Sequence, residues 1–198
     1  MSRLSPAPAE IFEPLFGAEA PLRVQIYAHR PEIAAKFAEL GQLMRDSHVL
    51  PGRLLELVRL RVAFHNQCRS CMSVRYAYGI EDGLTEGLVC SLERPEEADD
   101  LCEADRAAIA YADLMATNHF AVDDETFGHL REHFSEPEIM ELCFHVALYV
   151  GFGRMAMSLD MVDDLPDGFR ADGVVAPWGQ AEVRQADGSG GRGPVAQS

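Results

Sequence analysis

The chain has 198 residues, 47% of them hydrophobic and 25% charged, the make-up of one globular domain with short ends and not of a disordered or fibrous chain. Its 17 Lys and Arg against 32 Asp and Glu leave a formal charge of −15. That excess argues against nucleic acid or an anionic membrane surface as a partner, because like charges repel at long range.

The N-terminal MSRLSPAPAEIFEP carries no apolar export segment, and no apolar stretch reads as long enough to span a membrane. Residues 1–21 read as an N-terminal extension. After Pro31, suited to a first helical turn, Ile33, Phe37, Leu40 and Met44 share one face of an amphipathic helix that ends near Arg45. Leu50-Pro51-Gly52 breaks the pattern. The next helix, through Leu54, Leu55, Leu57, Val58, Leu60, Val62 and Phe64, is apolar around most of its circumference and should be buried. A further helical turn or two is expected from Cys68. Gly79, Gly83 and Gly87 then leave room for one short helix before the acidic loop Glu93–Asp100.

From Glu103, Ala107, Ala110, Tyr111, Leu114 and Met115 again fall on one helical face. Asp123 or Asp124 caps a short helix reaching about His133, and Ser135 with Glu138 has capping-box spacing with Pro137 in the first turn. The helix beyond carries Ile139, Leu142, Cys143, Val146 and Val150 inward. Its start, Ile139-Met140-Glu141-Leu142, weakly echoes Leu54-Leu55-Glu56-Leu57. Alternating polar and apolar runs are scarce, so the fold is expected to be all-α. Residues 22–165 make up the domain, and the glycine- and proline-rich residues 166–198 read as a flexible or loosely docked tail, with Trp178 either anchoring it or exposed.

Cys68-Arg69-Ser70-Cys71 is the chain's one C-x-x-C. Structural zinc would need a second such pair or a nearby histidine pair, and Cys90, Cys102 and Cys143 are scattered singly. Redox chemistry is therefore the leading reading. At a helix N-terminus, free backbone N–H groups favour a thiolate, and residues three apart share a face. Arg75, one turn beyond Cys71, would depress a thiol pKa further. The bland alternative is that both cysteines are small buried hydrophobes. His129-Leu130-Arg131-Glu132-His133 matches H-x-x-E-H, but nothing downstream offers the third metal ligand that pattern needs.

Glu56 followed by Asn66-Gln67-Cys68-Arg69-Ser70-Cys71 resembles the signature of the alkylhydroperoxidase D-like branch of the carboxymuconolactone decarboxylase superfamily. The resemblance runs over roughly residues 22–162. It implies an all-helical oligomeric fold, trimeric or hexameric, and a thiol peroxidase or disulfide oxidoreductase of the cytoplasm that needs no cofactor or metal. By resemblance Cys71 is the peroxide-attacking thiolate, Cys68 the partner that closes the disulfide, and Glu56 the carboxylate that relays protons. An external dithiol would then reduce the pair. The family's histidine four residues after the second cysteine is Arg75 here. An arginine holds its charge but cannot return a proton near neutral pH, so a relay would have to use Glu56, His65 or water. Three alternatives stand beside this. Glu56 could simply pair with Arg53 or Arg59 on its own helix; the protein could be a decarboxylase-like lyase that uses no thiol; or it could be a non-catalytic helical oligomer that binds a small ligand.

Overall fold

Helix boundaries in this chain are set largely by proline and by side-chain caps. In the computed structural model, which describes residues 1–186, α1 (Ala9–Phe16) and α2 (Leu22–Tyr27) each start directly after a proline. α3 (Pro31–Asp46) opens on one, whose missing N–H is no loss in a first turn. α4 (Gly52–Asn66) follows Pro51 and is buried on nearly every side. It stops at Gln67, which takes a left-handed conformation with φ 53°. A one-turn helix α5 (Arg69–Met72), strand β1 (Val74–Tyr76) and the short α6 (Ala77–Glu81) and α7 (Glu86–Ser91) come next.

The second half is built of α8 (Glu103–Thr117), α9 (Asp124–Arg131), α10 (Glu136–Ser158) and α11 (Asp167–Arg170), followed by strand β2 (Arg184–Ala186). The Asp123 carboxylate accepts the Thr126 N–H at 2.9 Å, and Glu138 accepts the Ser135 N–H at 2.7 Å. Both caps answer donors that a helix start leaves free.

α4 is the axis of the core. Leu54, Leu57 and Leu60 pack with Ile109 and Ala112 of α8 and with Leu142 and Val146 of α10. The two segments that echo each other in sequence thus lie against one another. A second cluster gathers Ala63, Cys68 and Met72 with Ala156, Phe169 and Val175, and a third joins Phe12 and Phe16 of α1 to Ala28 and Ala34.

The fold is helical, as expected, apart from a parallel two-strand ladder that sets Val74 opposite Arg184. Three details depart from the sequence reading. The N-terminal segment forms a helix of its own, α1. Helix does not continue past Met72, because Val74–Tyr76 extends to pair with β2. Of the readings left open for the chain beyond Pro166, the docked one holds as far as the chain is described: Phe169 and Val175 are buried, and the Trp178 ring centre sits 4.7 Å from that of Phe64. The Gly-rich end, residues 187–198, lies outside the described residues. Finally, α10 is by length and composition apolar enough to cross a membrane, with a mean hydropathy of 1.3 over its best window.

Candidate active site

Cys68 and Cys71 are joined in a disulfide with their Cα atoms 5.2 Å apart. α4 ends in the left-handed Gln67, and the Cys68 N–H still reaches back to the Ala63 carbonyl at 2.9 Å. The chain therefore doubles back tightly, and α5 presents the second cysteine one turn later. The two sulfurs do not share an environment. Cys68 is 1% exposed inside the second apolar cluster. Cys71 is half-buried and lines a cavity of about 1280 Å³. A molecule in that cavity meets Cys71, with Cys68 sealed behind it.

Glu56 is fully buried on α4 and forms a two-pronged ion pair with Arg59, Nε to Oε1 at 2.7 Å and Nη2 to Oε2 at 2.8 Å. Its remaining lone pairs accept the Tyr76 N–H at 3.1 Å and the Tyr78 hydroxyl at 2.9 Å. Arg59 in turn donates to the carbonyls of Cys71 at 2.6 Å and Val74 at 2.7 Å. The pair is a clip that fixes the backbone from Cys71 to Tyr76. Burial alone would lower the Arg59 pKa, but the Glu56 charge beside it prevails and holds it above the ordinary value. The helical neighbour that sequence offered as the alternative partner, Arg59, is the one Glu56 holds. Among the described residues, all four of its contacts go to Arg59, Tyr76 and Tyr78.

Arg75 is not on a helix one turn beyond Cys71. In β1, side chains alternate between faces, so Val74 and Tyr76 line the cavity while Arg75 turns the other way. There it is 2% exposed and bonded to Glu86 at 2.9 Å and to the carbonyls of Met72 at 2.8 Å and Pro177 at 2.6 Å. The change of period from 3.6 to 2 is the physical reason. His65, offered as a relay, is bonded to Asp113 at 2.7 Å beside Arg61.

Tyr76 and Tyr78, which the sequence allows as pocket lining or, more simply, as packing between helices, face the cavity with Cys71. Tyr76 accepts a hydrogen bond from Arg23 at 3.1 Å, and the Arg59 guanidinium lies 4.8 Å from its ring centre. The Arg23 charge, opposed by burial and aided by Arg59, draws the Tyr76 pKa below its ordinary value. Tyr78, stacked on Tyr76 at 5.9 Å, is pushed well up by burial and by its neighbours Tyr149 and Glu56. His145 of α10 is 4% exposed, with Nδ1 2.8 Å from the Tyr149 hydroxyl and Nε2 without a partner among the described residues. Burial, then the nearby His48 charge, lowers its pKa to about 4, so it is neutral at pH 7. One sequence signal was available: a β-branched residue and an aromatic flanking a charge, Val74-Arg75-Tyr76, suits a short strand.

No protein-family model matches the chain. Two uncharacterised proteins of Mycobacterium tuberculosis are each 37% identical over 93 residues, 46% of this chain. The matched segment is 32% of each relative, so the likeness spans about a third of their length. Among solved structures, a suspected antioxidant defence protein AhpD of Agrobacterium tumefaciens, itself of unknown function, superposes with a TM-score of 0.59 at 23% identity, over 71% of this chain and 95% of that one. An uncharacterised peroxidase-related protein of Ralstonia eutropha with an alkylhydroperoxidase AhpD core gives 0.57 at 24%, over 73% and 76%. The debrominase Bmp8 without ligand gives 0.70 at 20%, over 86% and 95%; a cysteine-to-alanine form of it is solved with 2,3,4-tribromopyrrole. The fold is that of the alkylhydroperoxidase D-like proteins.

Proposed function

We propose that this chain, built on the alkylhydroperoxidase D-like fold, is a thiol oxidoreductase that reduces a small oxidising substrate, a hydroperoxide first among them, by cycling Cys68 and Cys71 between dithiol and disulfide. The observation that carries this reading is the asymmetry of the pair, one sulfur on a cavity wall and its partner sealed behind it within bonding reach. In the peroxide cycle the Cys71 thiolate attacks the terminal oxygen of ROOH, breaking the O–O bond. The RO⁻ fragment takes a proton and leaves as ROH, and Cys71 becomes a sulfenic acid. The Cys68 thiol then displaces hydroxide, which leaves as water with the thiol proton, and the disulfide closes. An external dithiol returns the pair to its reduced state and is itself oxidised. In this reading Tyr76, which lines the same cavity and whose hydroxyl Arg23 acidifies, gives the leaving oxygen its proton. Glu56 acts through Arg59, by holding the Cys71–Tyr76 backbone.

The size and aromatic lining of the cavity favour a second substrate of the same redox class. A debrominase has this fold, and a dithiol can reduce an aryl halide: ArX and two thiols give ArH, a disulfide and HX. A lyase reading would leave Cys71 on the wall without a task, and a purely binding protein would leave it inert. The cycle as written belongs to a reducing cytoplasm, and the chain is proposed to act as a homo-oligomer.

The test is a thiol count on reduced protein before and after one equivalent of hydroperoxide. Both Cys68 and Cys71 should disappear from the count. Cys71→Ser should slow peroxide consumption by about two orders of magnitude, as expected when a nucleophile is removed. Equal consumption by parent and Cys71→Ser would sink the proposal.

A further inference from the structure

The charges around the cavity do not balance. Of the charged side chains on its wall, Arg59 is paired with Glu56, Arg184 with Asp164 at 3.4 Å, and Glu39 with Lys36 at 2.7 Å. Arg23 and Arg45 have no carboxylate partner among the described residues. Arg23 makes a single hydrogen bond, to the Tyr76 hydroxyl, and Arg45 bonds only Gln42 and leaves its buried Nε unpartnered. In a chain with a formal charge of −15, two part-buried guanidiniums without a carboxylate partner, lining one cavity, make a local field that attracts an anion. His145 borders the same cavity, 4% exposed, with its Nε2 buried and unpartnered among the described residues. Stacked aromatic pairs line the space these groups share, Tyr76 with Tyr78 at 5.9 Å and Phe37 with Phe152 at 3.9 Å. Flat rings offer a planar guest stacking area, and guanidinium matches a carboxylate or phenolate oxygen.

We infer that the cavity beside Cys71 is a binding site for a planar aromatic acid, its anionic oxygens held by Arg23. This deepens the proposed function by naming a substrate class, and it rests on that reading for turnover but not for binding. Arg45 adds charge to the same wall. The bound anion also neutralises the guanidinium that holds Tyr76, so occupancy and the acidity of that phenol are linked.

Calorimetric titration of the oxidised, full-length protein with benzoate, and separately with its uncharged counterpart benzamide, tests the site. Benzoate should bind at least about tenfold tighter, a difference of about 1.4 kcal/mol. Arg23→Gln should abolish that difference, Arg23→Lys should keep most of it, and Tyr76→Phe should keep all of it, which separates loss of the cation from loss of its tyrosine contact. Unchanged far-UV circular dichroism of the variants shows that they fold. Equal binding of the two probes, no binding of either, or benzoate selectivity surviving in Arg23→Gln overturns the inference. Inert thiols with selective benzoate binding would overturn the redox cycle and leave the anion site standing; active thiols without benzoate selectivity would do the reverse.

Discussion

A phenol flanked by two guanidiniums is a stronger acid than one in an apolar slot, and this chain holds both kinds. Of its five tyrosines, Tyr76 has its pKa drawn down, first by Arg23 and then, against burial, by Arg59. Tyr27, Tyr78, Tyr111 and Tyr149 are all pushed up, each chiefly by burial. The ionised form of Tyr76 is an anion beside cations, so its proton leaves below the ordinary value of 10.0. Spectrophotometric titration should therefore show one tyrosinate forming early and four late, and Tyr76→Phe should delete the early step alone. The linkage has a definite sign. Below pH 10 but above the folded value for Tyr76, the unfolded chain holds the proton that the folded one has lost, so this group adds stability as pH rises through that window. The four raised tyrosines act oppositely at higher pH. An early step that survives in Tyr76→Phe would show that the Arg23–Tyr76–Arg59 arrangement is not what sets the acidity facing Cys71.

Between elements, the site depends on how closely α6 crosses α4. A Cβ added at Gly79 would fall 2.3 Å from the Glu56 Cγ, and one at Gly52 would fall 2.7 Å from the Tyr78 carbonyl oxygen. Two glycines facing each other's helices thus allow the approach that puts Tyr76 N–H and Tyr78 Oη on Glu56. Gly79→Ala must push Glu56 aside or spread the helices. It is expected to cost about 1–3 kcal/mol in denaturant unfolding and to slow peroxide-driven disulfide formation by loosening the Cys71–Tyr76 backbone. Gly83→Ala, where φ is +91° with open space around it, is strained but leaves the site untouched. From sequence, Gly79 looked like a break between helices, whereas it lies inside α6 as a contact point.

That misreading shows where sequence was and was not informative. α3, α4, α9 and α10 were legible because proline, Asp123 and the Ser135–Glu138 pair mark their ends locally, and α8 because Ala107, Ala110, Tyr111, Leu114 and Met115 share one face. The cysteine pair and Glu56 were legible by resemblance. β1 was not, since its partner β2 lies far along the chain in a segment that reads as tail. The αL turn at Gln67 was hidden for the same reason: its side chain is fixed by Val175, whose N–H it accepts at 2.9 Å and whose carbonyl it donates to at 3.1 Å. Once β1 is missed, Arg75 falls on the wrong face.

On the scale of the whole molecule, the fold leaves a run of large apolar side chains exposed. α10 is held to α4 along one face, where Asn66 donates to the Tyr149 carbonyl at 2.9 Å and Gly153 leaves no room for a side chain. Its other face shows Met140, Phe144 and Met155 at 49%, 59% and 36% exposure. This patch continues onto the neighbouring chain. Glu141 of α10 holds the N–H of Val49, which is 60% exposed, and Phe37 of α3 stacks on Phe152, with Ile33 and Leu43 of α3 also exposed. A membrane would satisfy such a helix only if it were free, and α10 is the partner of α4 in the core. Contact with further copies of the same chain would cover the patch without disturbing that pairing, each buried Phe or Met side chain contributing about 1.5–3 kcal/mol. Light scattering on eluting protein should therefore give a multiple of the chain mass, and Phe144→Glu should shift it towards the monomer with helicity retained. Because α3 and α10 also wall the cavity, dissociation should weaken benzoate binding even though Arg23 is intact. A parent protein that elutes as a monomer at every concentration would mean that this surface faces water, and would remove the reason to expect assembly to matter for the site.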